Sequence, residues 1–139
     1  MQILHKAKRK DNGEWVEGYF YKINDMSFIF PALTNGSYDV SKHVMKFINP
    51  CYEVDEKTLC RFTGLQDKNK NKLWEHDIVV INGEDGYFHI VWEEDQAAYV
   101  LESETENIVV TFDNYWSYET ECYGNFIDNP DLLFEEFEW

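Results

Sequence analysis

The chain has 139 residues, of which 27 are acidic against 12 Lys and Arg, for a formal net charge of −15; it carries five Trp, nine Tyr and ten Phe. So much aromatic surface excludes a disordered chain, and the sign of the charge disfavours a whole-chain grip on nucleic acid or anionic lipid. No stretch approaches the ~20 apolar residues of a spanning helix, and the basic start is not followed by the apolar core of a secretory signal. The expectation is therefore a soluble cytoplasmic protein of one domain, large enough to build a core without disulfides.

Short strands fill the sequence in chain order. Ile3–Lys8 opens, and Asp11-Asn12-Gly13 is a turn signal. Trp15–Ile23 places Trp15, Glu17, Tyr19, Tyr21 and Ile23 on one side and Val16, Gly18, Phe20 and Lys22 on the other, a period of two that suits a strand. Gly18 within it predicts a bulge or a close backbone approach. Phe28-Ile29-Phe30 ends at Pro31. In Leu33–Asn49 the pattern is weakest: Thr34-Asn35-Gly36-Ser37 reads as a turn, and Ser41–Phe47 fits either a strand or one or two helical turns. Cys51–Val54 and Thr58–Thr63 read as two strands around an Asp55-Glu56 turn. A polar loop runs from Gly64 to Lys72.

Ile78-Val79-Val80-Ile81 is short and β-branched throughout, as a strand buried on both faces would be. Tyr87–Trp92, Ala98–Leu101, Ile108–Phe112 and Cys122–Ile127 follow, separated by turn-forming and acidic loops. The terminal segment reads as a helix, with Asn129 as N-cap and Pro130 at the first helical position. The resulting fold class is mostly β: a small antiparallel barrel or strongly bent sheets, with a short C-terminal helix. A finer division sets an N-terminal β-subdomain, 1–57, on a small barrel, 58–139. Aromatic side chains at alternating strand positions are assigned to the core.

The charge is unevenly spread. Residues 1–82 hold all 12 Lys and Arg together with 11 acids, whereas residues 83–139 hold 16 acids and no Lys or Arg. One reading is a solvated face that maintains solubility. The other is a surface that meets a basic partner, or the basic start of a second copy.

Signals for catalysis are sparse. Cys51, Cys60 and Cys122 have no paired spacing, which argues against a disulfide framework and for a reducing compartment. His5, His43, His76 and His89 are scattered, and neither C-x-x-C nor H-E-x-x-H occurs, so no metal and no cofactor are expected. Phosphate-cradling glycine motifs and nucleophile elbows are also missing. An enzyme reading would need His76 or His89 within hydrogen-bond reach of a carboxylate in a cleft.

Four ordered stretches carry a family resemblance. Lys8-Arg9-Lys10-Asp11-Asn12-Gly13-Glu14-Trp15-Val16-Glu17-Gly18-Tyr19 resembles the opening K-R-x-D-N-G-x-W-V-x-G-Y of the YopX family. Thr58-Leu59-Cys60-Arg61-Phe62-Thr63-Gly64-Leu65-Gln66-Asp67-Lys68-Asn69 resembles its T-[VI]-x-Q-[YF]-T-G-L-x-D-K-N. Lys72-Leu73-Trp74-Glu75-His76-Asp77-Ile78-Val79 resembles K-I-[YF]-E-G-D-I-V. Gly124-Asn125-Phe126-Ile127-Asp128-Asn129-Pro130-Asp131-Leu132-Leu133 resembles G-N-I-[YH]-[ED]-N-P-E-L-L. Two positions depart from the pattern: Cys60 replaces Gln, and His76 replaces Gly, so that His76 either lacks a positive φ or bears strain. The resemblance implies a mostly-β protein of phage or prophage setting and assigns no activity.

The sequence thus favours a non-enzymatic protein-interaction module that binds a protein partner or itself. Tyr115, Trp116 and Tyr118, aromatics in an acidic loop, are candidate partner-binding residues, as are Lys8, Arg9 and Lys10 of the basic start. The alternatives are an acidic nucleic-acid mimic, a nucleic-acid-binding accessory protein held through the basic start, and a small hydrolase. Strand alternation in Ile3–Arg9 spreads the basic charges over opposite faces.

Overall fold

A computed structural model describes residues 3–31, 36–39, 44–47, 51–103, 108–111 and 119–134. Among these residues twelve strands follow in order: β1 Leu4–Arg9, β2 Trp15–Ile23, β3 Met26–Pro31, β4 Gly36–Asp39, β5 Val44–Phe47, β6 Tyr52–Gln66, β7 Lys72–Trp74, β8 Asp77–Ile81, β9 Phe88–Glu93, β10 Ala98–Ser103, β11 Ile108–Thr111 and β12 Thr120–Asn125. All pairings are antiparallel. No helix among the described residues is long and apolar enough to cross a membrane. The chain divides into two compact units, Met1–Arg61 and Phe62–Trp139.

In the first unit, β1 pairs with β2, β2 with β3, β3 with β6, and β6 back with β1. The sheet thus closes partly into a ring without becoming a full barrel. Its core is Ala7, Ile29 and Val54, with Val16, Phe20 and Leu59 packed against them. Gly18 is needed where β2 meets β3: a Cβ there would run into the carbonyl oxygen of Phe30. The close approach read from the sequence is therefore real. β4 and β5 form a separate hairpin, so the 41–47 stretch resolves as strand over Val44–Phe47.

The Asp55-Glu56 signal is a bulge and not a turn. β6 runs unbroken for 15 residues. Asp55 Oδ1 accepts the N–H of Lys57, and the Thr58 hydroxyl donates to the Asp55 carbonyl while accepting the N–H of Lys8. These local bonds absorb the irregularity, and the β1–β6 register shifts between Lys6 and Lys8. Side-chain bonds that would close a turn can equally satisfy a bulged strand when a neighbouring strand is at hand.

In the second unit the sheet order is β11-β10-β9-β8-β12. All five residues of β8 are buried, as its β-branched run predicts. The core comprises Leu73, Val79, Ile81, Phe88, Ile90 and Leu101. The expected C-terminal helix is corrected: Pro130–Phe134 is a single 3-10 turn, and no α-helix occurs among the described residues. Asn129 does not cap it with its side chain. Its Oδ1 accepts the N–H of Asn125 instead, while its carbonyl takes the N–H of Leu132 in an i→i+3 bond.

Candidate functional site

The basic start lies on β1 and the turn after it. Lys6 and Lys8, two residues apart, share one face and hold their ammonium groups 4.6 Å and 5.5 Å from the ring centroid of Trp15. Arg9 projects to the other face and stacks its guanidinium 4.0 Å from the Tyr52 ring. It also pairs with both carboxylate oxygens of Asp11, at 2.9 and 2.6 Å. That hydrogen-bonded pair raises the Arg9 pKa and lowers that of Asp11. Lys10 reaches Glu53 at 3.3 Å, and on the adjoining hairpin Lys22 reaches Glu56 at 3.0 Å. Each of these cations is engaged within its own unit.

The sequence-predicted aromatic loop, Tyr115, Trp116 and Tyr118, lies outside the described residues. So do His43 and six of the acidic residues of the C-terminal half: Glu104, Glu106, Asp113, Glu135, Glu136 and Glu138.

Sequence reasoning missed a different surface. Cross-strand partners in an antiparallel pair share a face. Tyr19 pairs with Phe30, Tyr21 with Phe28, and Ile23 with Met26. This row is turned away from the Ala7–Ile29–Val54 core, and Tyr19, Tyr21, Ile23, Met26 and Phe30 are 37–55% exposed. The Tyr21 and Phe30 rings meet edge-on at 6.4 Å. The assignment of alternating aromatics to the core is thus corrected for this row. Both rows of β2 contain aromatics, and only the ring it forms with β1, β3 and β6 decides that Val16 and Phe20 go inward. Glu17, in the same row as Tyr19 and Tyr21, was the one hint available.

Turn residues of the motif stretches have structural roles. Asp67 is 1% exposed. Its carboxylate accepts N–H groups from Asn69, Asn71 and Cys122 and the amide of Asn71. Burial pushes its pKa upward, but these donors outweigh burial and hold it below the usual carboxylate range. Asp77 accepts the N–H of Trp74 at 2.9 Å and fixes the turn between β7 and β8.

Within that turn, His76 has φ 77°. Of the two options left by a His in place of Gly, the strained one holds. Its N–H donates to Ile90 at 2.8 Å, and its carbonyl accepts the N–H of Phe126 at 2.7 Å. The fold brings His76 and His89 together, with ring centroids 5.6 Å apart, and stacks His89 on Phe126 at 5.1 Å. His89 is 8% exposed. Burial, assisted by the charge of His76 and opposed by Glu75, pushes its pKa down to about 4. The Nε2 atom of His89 is buried and makes no hydrogen bond among the described residues. Among the described residues no carboxylate is bonded to that nitrogen. The three cysteines are free thiols, with Cys60 buried.

The four motif stretches now have places: a β1–β2 turn, the β6 end with its Asp67 loop, the strained β7–β8 turn, and the β12 end with Asn129. The family model described as YopX protein matches residues 5–134. The chain belongs to the YopX family. No curated protein matches it. Within this YopX chain, Asp67, Asp77 and Asn129 of the motif stretches accept backbone N–H groups at turns and loops.

Proposed function

We propose that this YopX protein is a non-enzymatic protein-interaction module of phage or prophage type, acting in the bacterial cytoplasm. Its docking surface is the outward row of β2 and β3, and its partner is a protein that presents an apolar face. The observation that carries this reading is the contiguous exposure of Tyr19, Tyr21, Ile23, Met26 and Phe30. With aromatic side chains of roughly 150–250 Å² each, such a row leaves several hundred Å² of apolar surface in water, the size at which a patch on a soluble protein marks an interaction site. Charge favours a protein over a polyanion. Lys6 and Lys8 lie against Trp15, and Arg9, Lys10 and Lys22 are paired with Asp11, Glu53 and Glu56. A phosphate backbone would have to break these contacts to gain its own.

The test is a double variant, Tyr21→Lys with Ile23→Lys, matched to the wild type in folded stability. A protein captured by the wild type should be purified and shown to bind it with defined stoichiometry. Binding should weaken at least tenfold with the double variant. Undiminished binding by the double variant overturns the reading, as does selective retention of nucleic acid. Concentration-dependent dimerisation that the two substitutions abolish would replace the foreign partner by a second copy.

A further inference from the structure

We propose that His76 and His89 together bind a divalent transition-metal ion of the zinc type. Two imidazoles that share one tetrahedral zinc through N–Zn bonds of about 2.0–2.1 Å hold their ring centroids about 5 Å apart, and farther as the N–Zn–N angle opens. The observed separation is 5.6 Å. The second observation is independent of that distance. His89 is 8% exposed, and its Nε2 is buried without a hydrogen-bond partner among the described residues. A buried polar atom calls for a partner, and a ring-nitrogen lone pair is a metal ligand as well as a proton acceptor. Nδ1 of His76 is buried too.

The frame around the pair is fixed before any ion arrives. His76 is tied through its N–H to Ile90 and through its carbonyl to Phe126, and the Phe126 ring stacks on His89. Glu75 adds a negative charge that acts on His89. His76 keeps a left-handed backbone that glycine would adopt without strain, so the imidazole is placed here at a conformational cost. Among the described residues no group of three or more His, Cys, Asp or Glu forms a metal cage. The protein supplies two ligands, and water or an exogenous ligand completes the coordination, as at an exchangeable and not a structural site. Imidazole donors favour zinc, copper and nickel over magnesium and calcium.

The test uses the untagged full chain, stripped with EDTA and titrated with Zn2+, with Mg2+ as control. Heat of binding and melting temperature are read for the wild type and for His76→Gly, His89→Phe and His5→Ala. His76→Gly suits the backbone and so removes the ligand without endangering the fold. The expected result is one Zn2+ per chain and a melting temperature raised by roughly 3 °C or more at saturating zinc. His5→Ala should behave as the wild type, Mg2+ should have no effect, and His76→Gly and His89→Phe should each weaken zinc binding at least tenfold. Absence of zinc binding overturns the proposal, as does equal binding by His76→Gly. Neither result bears on the β2–β3 surface, which the Lys substitutions test separately.

Discussion

The carboxylate of Asp67 accepts the backbone N–H of Cys122 at 3.1 Å, across 55 residues of sequence. Among the described residues β12 is an edge strand of its sheet, and two of its backbone groups are met by one loop. Asp67 takes the N–H of Cys122, and the N–H of Lys68 donates to the Thr120 carbonyl at 2.9 Å. An edge strand is a template for unwanted pairing, and the Asp67 loop covers it. The same carboxylate closes its own loop through Asn69 and Asn71.

Asp67→Ala should therefore cost about 3 kcal/mol, since it leaves several backbone donors unsatisfied at a buried site. Asp67→Asn, which retains one acceptor oxygen, should cost less. Urea denaturation measures both. The folded pKa of Asp67 is depressed, so its contribution is complete above the ordinary carboxylate pKa and is lost as pH falls through the lower folded value. A loss confined to neutral pH would contradict this assignment.

His89 produces a second acid dependence in a different window. Its pKa is lowered from 6.5 to about 4 in the folded protein. Between those values the unfolded chain binds more protons than the folded one, so stability rises with pH across that interval. In the metal-free protein, stability should be full above about pH 6.5 and fall, on the order of 2 kcal/mol, as pH drops toward 4. His89→Phe should flatten that slope while keeping the stack on Phe126. Denaturation curves at several pH values would show whether it does.

His76→Gly should stabilise the metal-free protein by about 1 kcal/mol, because the left-handed backbone penalises a side chain that glycine lacks. Some of the gain will be offset by the lost ring contact with His89. A fall in the melting temperature would mean that this contact outweighs the strain.

At Gly124, an added Cβ would lie 2.5 Å from Oδ1 of Asn129 and 3.0 Å from its Cγ. Gly124→Ala must displace that side chain and its bond to the N–H of Asn125. The expected loss is about 1–2 kcal/mol. In the Gly124→Ala/Asn129→Ala double variant the clash is gone, so the combined loss should be smaller than the sum of the two single losses. Strict additivity would show that the two residues do not act through this contact.

Local chemistry by itself determined a good part of this protein. Alternation located β2, the β-branched run marked β8 as buried, Asp11-Asn12-Gly13 marked a turn, and Gly18 marked a close approach, because each depends on residues adjacent in the chain. The uneven charge and the four family stretches were equally plain. Tertiary structure decided what adjacency cannot. Alternation divides β2 into two rows but does not say which is inside when both are aromatic. The partly closed ring of β1, β2, β3 and β6 turned Phe20 inward and left Tyr19 and Tyr21 in water. Asp55-Glu56 carries the side-chain bonding of a turn, and the pairing with β1 drew it into one long strand. His76 and His89 stand in separate motifs with nothing in their spacing to connect them. They meet because the N–H of His76 is bonded to Ile90, the neighbour of His89 on β9.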